Sequence, residues 1–240
     1  MAELAVPRSL QRSLRKDEEA AQRSALALLG VLAGELGRRD LEGVSVLDVG
    51  CGVKFTQAII THELPIGSYT GVDVNPEVID FLDSAVSDPR FRFHHVDFHN
   101  ARYNPTGTAM TPDSRLPVEA SSFDLICGFS LFTHLDPADF ETMLAIMRRY
   151  AHADTRLVFT AFLEVHTAGG HGLIDQYTKA LGHDPSSGEP YRDFAPDDVL
   201  RVALYSEELA RSIVDRSQWS LVSIQDPTEH AQHLFTLQPA

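Results

Sequence analysis

The sequence predicts an α/β fold, a doubly wound and mostly parallel sheet with helices on both faces. Short β-branched or aromatic runs at 44–49, 68–73, 91–96, 123–128 and 156–163 alternate with helix-compatible stretches, the rhythm of a parallel sheet covered on both sides. The first run ends in Gly50-Cys51-Gly52 ahead of a helix, and ligands of such sheets sit outside the carboxyl ends of the strands. A chain of 240 residues, 43% of them hydrophobic, is long enough to bury one substantial core.

The elements follow in order. Residues 18–36, rich in Ala, Leu and Glu with Leu26, Leu28, Leu29 and Leu32 on one face, predict an N-terminal helix. Before it, Ser9 to Lys16 carries Arg12, Arg15 and Lys16 and reads as a short helix with a solvated basic face. A helix follows the glycine turn through about Thr61. Asn75-Pro76-Glu77 opens the next one, with Pro76 in the first turn, where a missing N–H costs nothing. Tyr103 to Pro117 is a loop, and Pro137 to Tyr150 is a helix. The glycine- and proline-rich stretch 164–204 breaks the rhythm and reads as a substrate lid with only short helical pieces. Ser206 then caps a helix to Arg216, and strands at 221–225 and 233–237 close a seven-stranded sheet. The organisation expected is one domain, residues 1–240: helices at 1–40, a cofactor-binding core at 41–163, the lid at 164–204, and the C-terminal helix and strand pair at 205–240.

Composition removes several function classes. Thirty-four Asp and Glu against 20 Lys and Arg give a net charge of -14, which repels a phosphate backbone, so no nucleic-acid partner is expected. Two cysteines exclude a disulfide framework. No run approaches the roughly 18 apolar residues of a membrane span, and Met1 to Arg15 lacks a signal-peptide apolar region. A cytoplasmic protein without a membrane partner is the expectation.

The strand ends carry the chemistry. Glycines at 50 and 52 allow a ligand to lie against the backbone. Asp73 ends the second strand 21 residues after Gly52, a spacing that suits a carboxylate accepting from both ribose hydroxyls; it would equally cap the helix that begins at Asn75–Pro76. Asp97 and Phe98 follow the third strand, where they suit an adenine, or a loop-end acid and a core ring. The chain has no phosphate-binding Gly-x-x-x-x-Gly-Lys-Ser/Thr loop. Phe55 takes the third glycine position of a dinucleotide fingerprint, which disfavours a pyrophosphate.

VLDVGCG (46–52), GVDVNPEVIDFL (71–82), HHVDF (94–98) and FDLICGFSLFTHL (123–135) resemble, in order and spacing, the motifs of class I S-adenosylmethionine-dependent methyltransferases, which have a Rossmann-like fold. The resemblance covers residues 40–163 and fits the final helix and strand pair. It implies S-adenosylmethionine as cofactor. Asp48, Gly50, Cys51 and Gly52 would shape the methionine end, Asp73 with Val74 beside it the ribose, Asp97 and Phe98 the adenine, and Gly128 and Phe129 the wall beside the sulfonium. Lys54 replaces the last glycine of the family's Asp-x-Gly-x-Gly-x-Gly; its ammonium would either pair with the methionine carboxylate or crowd it.

Ser130 to Leu135 is similar to a stretch of small-molecule and sugar methyltransferases. It puts His134 forward as general base or substrate contact, with Phe132 beside it, against a purely structural histidine. Tyr191 and Arg192 in the lid suit an organic acceptor with hydroxyl or carboxylate groups, or a packed subdomain or dimer contact. The remaining histidines have no metal-ligand spacing, so no metal is expected. The function expected is methyl transfer to a hydroxyl of a small, sugar- or natural-product-like acceptor. An NAD-dependent oxidoreductase and a non-catalytic methyltransferase-like binding protein are the alternatives.

Overall fold

The computed structural model describes residues 4–10, 18–118, 123–228 and 231–240. The basic helix expected over Ser9 to Lys16 lies largely outside them; residues 8–10 form a turn.

Among the described residues, nine strands and six α-helices follow in this order: α1 (Glu18–Glu35), β1 (Leu41–Val49), α2 (Lys54–Thr61), β2 (Ile66–Asp73), α3 (Pro76–Ala85), β3 (Phe91–His95), β4 (Phe123–Gly128), α4 (Pro137–Arg148), β5 (Ala151–Leu163), α5 (Leu173–Leu181), β6 (Tyr191–Asp193), β7 (Ala203–Tyr205), α6 (Glu207–Arg216), β8 (Trp219–Gln225) and β9 (His233–Pro239). The main sheet runs β3-β2-β1-β4-β5-β9-β8, with β9 antiparallel to both its neighbours. Those seven strands match the seven expected.

The stretch 164–204, expected as a substrate lid with only short helical pieces, holds the nine-residue helix α5 and, with Tyr205, an unexpected β6–β7 hairpin, whose β7 pairs in parallel with the last residues of β5. The sequence signal was weak because both strands are three residues long, too short for a period of two to register. The helix α5 is closed at its start by Asp175, which accepts from Gly172 N at 3.1 Å, and at its end by Gly182 in the left-handed region at φ +76°.

Alternation along β1 feeds two cores. Leu47 and Val49 face α4 and α6, with Phe140, Met147, Ile213 and Trp219; Val44 and Val46 face α1, α2 and α3, with Leu32, Phe55, Ile59 and Leu82. Helix starts are fixed by side chains. Asn75 accepts from Glu77 N ahead of Pro76, Asp136 accepts from Ala138 N and Asp139 N ahead of Pro137, and Ser206 accepts from Leu209 N. Beneath the first core, Phe159 packs against Phe132, Phe140 and Phe235, with ring centroids 4.1, 5.5 and 4.9 Å away.

Phe159→Ala is therefore expected to cost about 3–5 kcal/mol, measured as a lowered urea midpoint with an unchanged slope.

Candidate active site

The parallel register brings the carboxyl ends of β1, β2, β3 and β4 to one edge: Val49 lies beside Val72, Asp73 beside His95, and Asp48 beside Cys127. The glycine turn is fastened there. Gly50 N and Cys51 N both donate to Val72 O, at 2.8 and 3.1 Å, and Gly52 N donates to Asp73 Oδ2 at 2.9 Å. Gly50 and Gly52 have φ of +76° and +51°, the left-handed region that L side chains avoid. A Cβ on Gly52 would meet nothing within 4 Å, and one on Gly50 would meet only the Leu131 side chain. The space above the turn is open.

Asp73 is buried at the end of β2, and its other oxygen accepts from Asn75 N at 2.9 Å. It thus serves the glycine turn and the chain entering α3 together. A carboxylate can accept about four hydrogen bonds, and the amides of Gly52 and Asn75 take one on each oxygen. Val74, half-buried, follows it. Asp97 is exposed beyond β3, accepting from Asn104 Nδ2 at 3.0 Å and Thr108 Oγ1 at 3.1 Å, bonds that hold its carboxyl below the ordinary range. Phe98 turns the other way, into the core beside Leu116 and Val96.

Asp48 lies in a fully buried polar cluster with Tyr69, Cys51 and Cys127. Tyr69 Oη donates to its Oδ2 at 2.5 Å, and the Cys127 thiol also bonds to it. Burial pushes the Asp48 carboxyl up to about 6 against these bonds, and pushes the Cys51 and Cys127 thiols far up as well. Both thiols are neutral and free of disulfides, packed beneath the turn; a Cβ at Gly71 would stand 2.8 Å from Cys51 Sγ. Lys54 opens α2 and donates to Ser24 Oγ of α1 at 3.0 Å, and its charge offsets part of the Asp48 shift. Phe129 meets Phe55 edge-on at 5.3 Å. Gly128 has little room, because a Cβ there would stand 3.3 Å from both Leu131 and Met147.

After Gly128 the chain makes a tight bend. Ser130 has φ +55°, Thr133 Oγ1 donates to its carbonyl at 2.9 Å, and a 3-10 turn spans Phe132–His134. His134 Nδ1 donates to Arg201 O at 2.6 Å. Two of the expected substrate contacts are occupied internally. Phe132 is fully buried in the ring cluster with Phe140 and Phe159, because its turn places it over the end of β5. Arg192 pairs with Glu164 at 2.7 Å, donates to Pro185 O at 2.8 Å, and lies over the Phe194 ring. Tyr191 is half-buried against Tyr205.

Sequence reasoning missed a polar network at this edge. Ser130 N donates to Thr160 Oγ1 at 2.9 Å, Thr160 Oγ1 donates to Gln232 Oε1 at 2.6 Å, and Gln232 Nε2 donates to Ser130 Oγ at 3.0 Å. These residues come from the ends of β4, β5 and β9; only the strand order, not local spacing, brings them together. Among the described residues no group of three or more His, Cys, Asp or Glu is arranged to hold a metal ion, and no helix is long and apolar enough to cross a membrane.

Because the ionised Asp48 is disfavoured by folding, stability falls as pH rises. Below about pH 4 the group is protonated in both states; between about 4 and 6 the unfolded chain gives up the proton first, and the loss is complete above the folded value. Asp48→Asn is expected to gain stability over the wild type through that window and to hold the gain above it. Urea midpoints across the range measure this, and a constant difference between the two proteins contradicts it.

Residues 46–154 match the family model described as a methyltransferase domain. Among solved structures, a 1,6-didemethyltoxoflavin N1-methyltransferase from Burkholderia thailandensis is 18% identical, with 100% of this chain and 93% of that one covered and a TM-score of 0.57. An S-adenosylmethionine-dependent methyltransferase from Mesorhizobium loti is 14% identical over 92% of this chain and 97% of its own, TM-score 0.58. The magnesium protoporphyrin IX methyltransferase of Synechocystis is 14% identical over 95% and 88%, TM-score 0.55. At these identities the structural likeness is one of fold. The matched methyltransferase-domain model spans just under half of the chain, and it contains the strand ends whose motifs resemble those of class I S-adenosylmethionine-dependent methyltransferases.

Proposed function

We propose that the protein transfers a methyl group from S-adenosylmethionine to a hydroxyl of a small organic acceptor. The observation that carries this reading is the open glycine turn clipped to Asp73, with Asp97 and Gly128 on the same edge. S-adenosylmethionine would supply an electrophilic methyl on a sulfonium. Asp73 would accept from the ribose hydroxyls, Asp97 from the adenine amino group, with Phe98 supporting the backbone there from the core. The bare backbone at 50–52 would lie against the methionine portion. Lys54, already held toward α1 by Ser24, would pair with the carboxylate.

Transfer is an in-line displacement, so the protein's main task is alignment. A hydroxyl acceptor also needs a proton taken from it, and His134 just beyond β4 is the group assigned to that. The structural neighbours include methyltransferases whose names specify oxygen and nitrogen acceptors, among them a mitomycin 7-O-methyltransferase. The choice of oxygen rests on the histidine and on the hydroxyl-rich surroundings of Ser130 and Thr160. Tyr191 remains a candidate for contact with the acceptor.

Saturating S-adenosylhomocysteine, at about 100 times its Kd, is expected to raise the melting temperature by about 5–10 °C. NAD should produce no shift. Asp73→Asn is expected to lose most of the rise, and a nicotinamide shift without an S-adenosyl one would favour an oxidoreductase instead. With an acceptor identified by transfer of labelled methyl, His134→Gln should lower kcat by about 10²–10⁴ while leaving the S-adenosylhomocysteine shift intact.

A further inference from the structure

The β6–β7 hairpin is pinned to the turn that carries His134 at several points. Tyr205 Oη donates to Leu135 O at 2.5 Å. The Arg201 guanidinium reaches Asp136 at 3.2 Å and Asp193 at 3.7 Å. Asp136 also caps α4, and Asp193 Oδ1 accepts from Ala195 N and Val202 N, closing the hairpin's loop on itself. These contacts aim the Arg201 carbonyl at His134, and His134 Nδ1 lies 2.6 Å from it.

A carbonyl oxygen can only accept, so Nδ1 must carry the proton in this bond. In a neutral ring that leaves the lone pair on Nε2, the tautomer a proton acceptor requires at that nitrogen. We propose that the hairpin is a tautomer lock for His134, and that Arg201 is a positioning residue acting through its backbone carbonyl, held in place by Asp136 and Asp193. The lid would then do more than cover the acceptor: its closure on the turn sets which nitrogen can take the hydroxyl proton. The proton moves from the acceptor hydroxyl to Nε2 as the new C–O bond forms and the C–S bond breaks, the sulfur keeping the bonding pair. The inference rests on the reading of His134 as base.

The charged and titratable groups around the turn come from three directions. Asp136 and Asp139 lie at the start of α4, Asp193, Arg201 and Tyr191 on the hairpin, and His99 beyond β3. Arg201 offsets the two carboxylates it pairs with, so its removal also alters the charge near the ring. Tautomer, rather than rate alone, is therefore the quantity to read.

The test is a long-range proton–nitrogen correlation spectrum of the histidine rings in uniformly ¹⁵N-labelled protein, with His134→Gln identifying the His134 signals. The wild type should show Nδ1 protonated and Nε2 bare at a pH where the ring is neutral. Arg201→Lys should keep that pattern. Arg201→Ala should move the ring toward the Nε2-protonated form and lower kcat at least tenfold, with the S-adenosylhomocysteine melting shift retained as the check that the cofactor side is intact. A wild-type ring protonated on Nε2 overturns the proposal, and so does an Arg201→Ala ring still protonated on Nδ1. The wild-type spectrum decides on its own if Arg201→Ala does not fold. Should the tautomer be as expected but His134→Gln turn over acceptor at the wild-type rate, the lock stands and the base assignment falls.

Discussion

The clip between the glycine turn and the end of β2 is the constraint on which the site depends. Two residues of β2, Val72 and Asp73, hold three successive amides of the turn, those of Gly50, Cys51 and Gly52. A turn with two left-handed glycines has many conformations open to it, and selecting one costs entropy that only fixed partners offset. Asp73 does this with a charged acceptor, which makes the bond to Gly52 stronger than a neutral one. It also fixes Asn75, and so the start of α3. One carboxylate thereby joins the path into α3 to the shape of the surface that a ligand would meet.

The layer beneath the turn is built on the opposite principle. Asp48, Tyr69, Cys51 and Cys127 form a fully buried polar cluster in which negative charge is disfavoured throughout. The short bond from Tyr69 and the nearness of Lys54 only partly compensate Asp48. Such a group lowers stability at neutral pH, and its bonds tie the end of β1 to Tyr69 of β2 and Cys127 of β4. The net charge of -14 that characterises the whole chain thus has a local counterpart of distinct physics: surface acids are solvated by water, whereas burial raises the Asp48 carboxyl to about 6, so that its ionisation opposes folding.

Much of this was legible from residues alone, for definite reasons. Parallel strands buried on both faces read as short apolar runs, and the Asn75-Pro76 and Ser206 starts are local signals that both became capped helices. The motif acids and glycines fall on strand ends because register, not side-chain detail, sets their height. Illegible parts depend on contacts distant in sequence. Arg192 suited an acceptor or a packed subdomain equally from its local sequence; its partners, Glu164 and Pro185, lie 28 and 7 residues earlier. Phe132, expected beside His134 as a substrate contact, is buried in the core after the bend at Ser130. The Ser130–Thr160–Gln232 network spans three strands, and the bond from His134 to Arg201 crosses 67 residues; neither has a local pattern. The three-residue strands of the lid were too short to announce themselves.

The central claim is that the edge formed by the clipped turn, Asp73 and Asp97 is a nucleoside site. A crystal structure of the protein grown with S-adenosylhomocysteine tests it most directly. The account requires both ribose hydroxyls on Asp73, the adenine beside Asp97 and the amino-acid end over Gly50 and Gly52 with its carboxylate toward Lys54. A nucleoside seated elsewhere, or a turn whose bonds to Val72 and Asp73 break to admit it, contradicts the account.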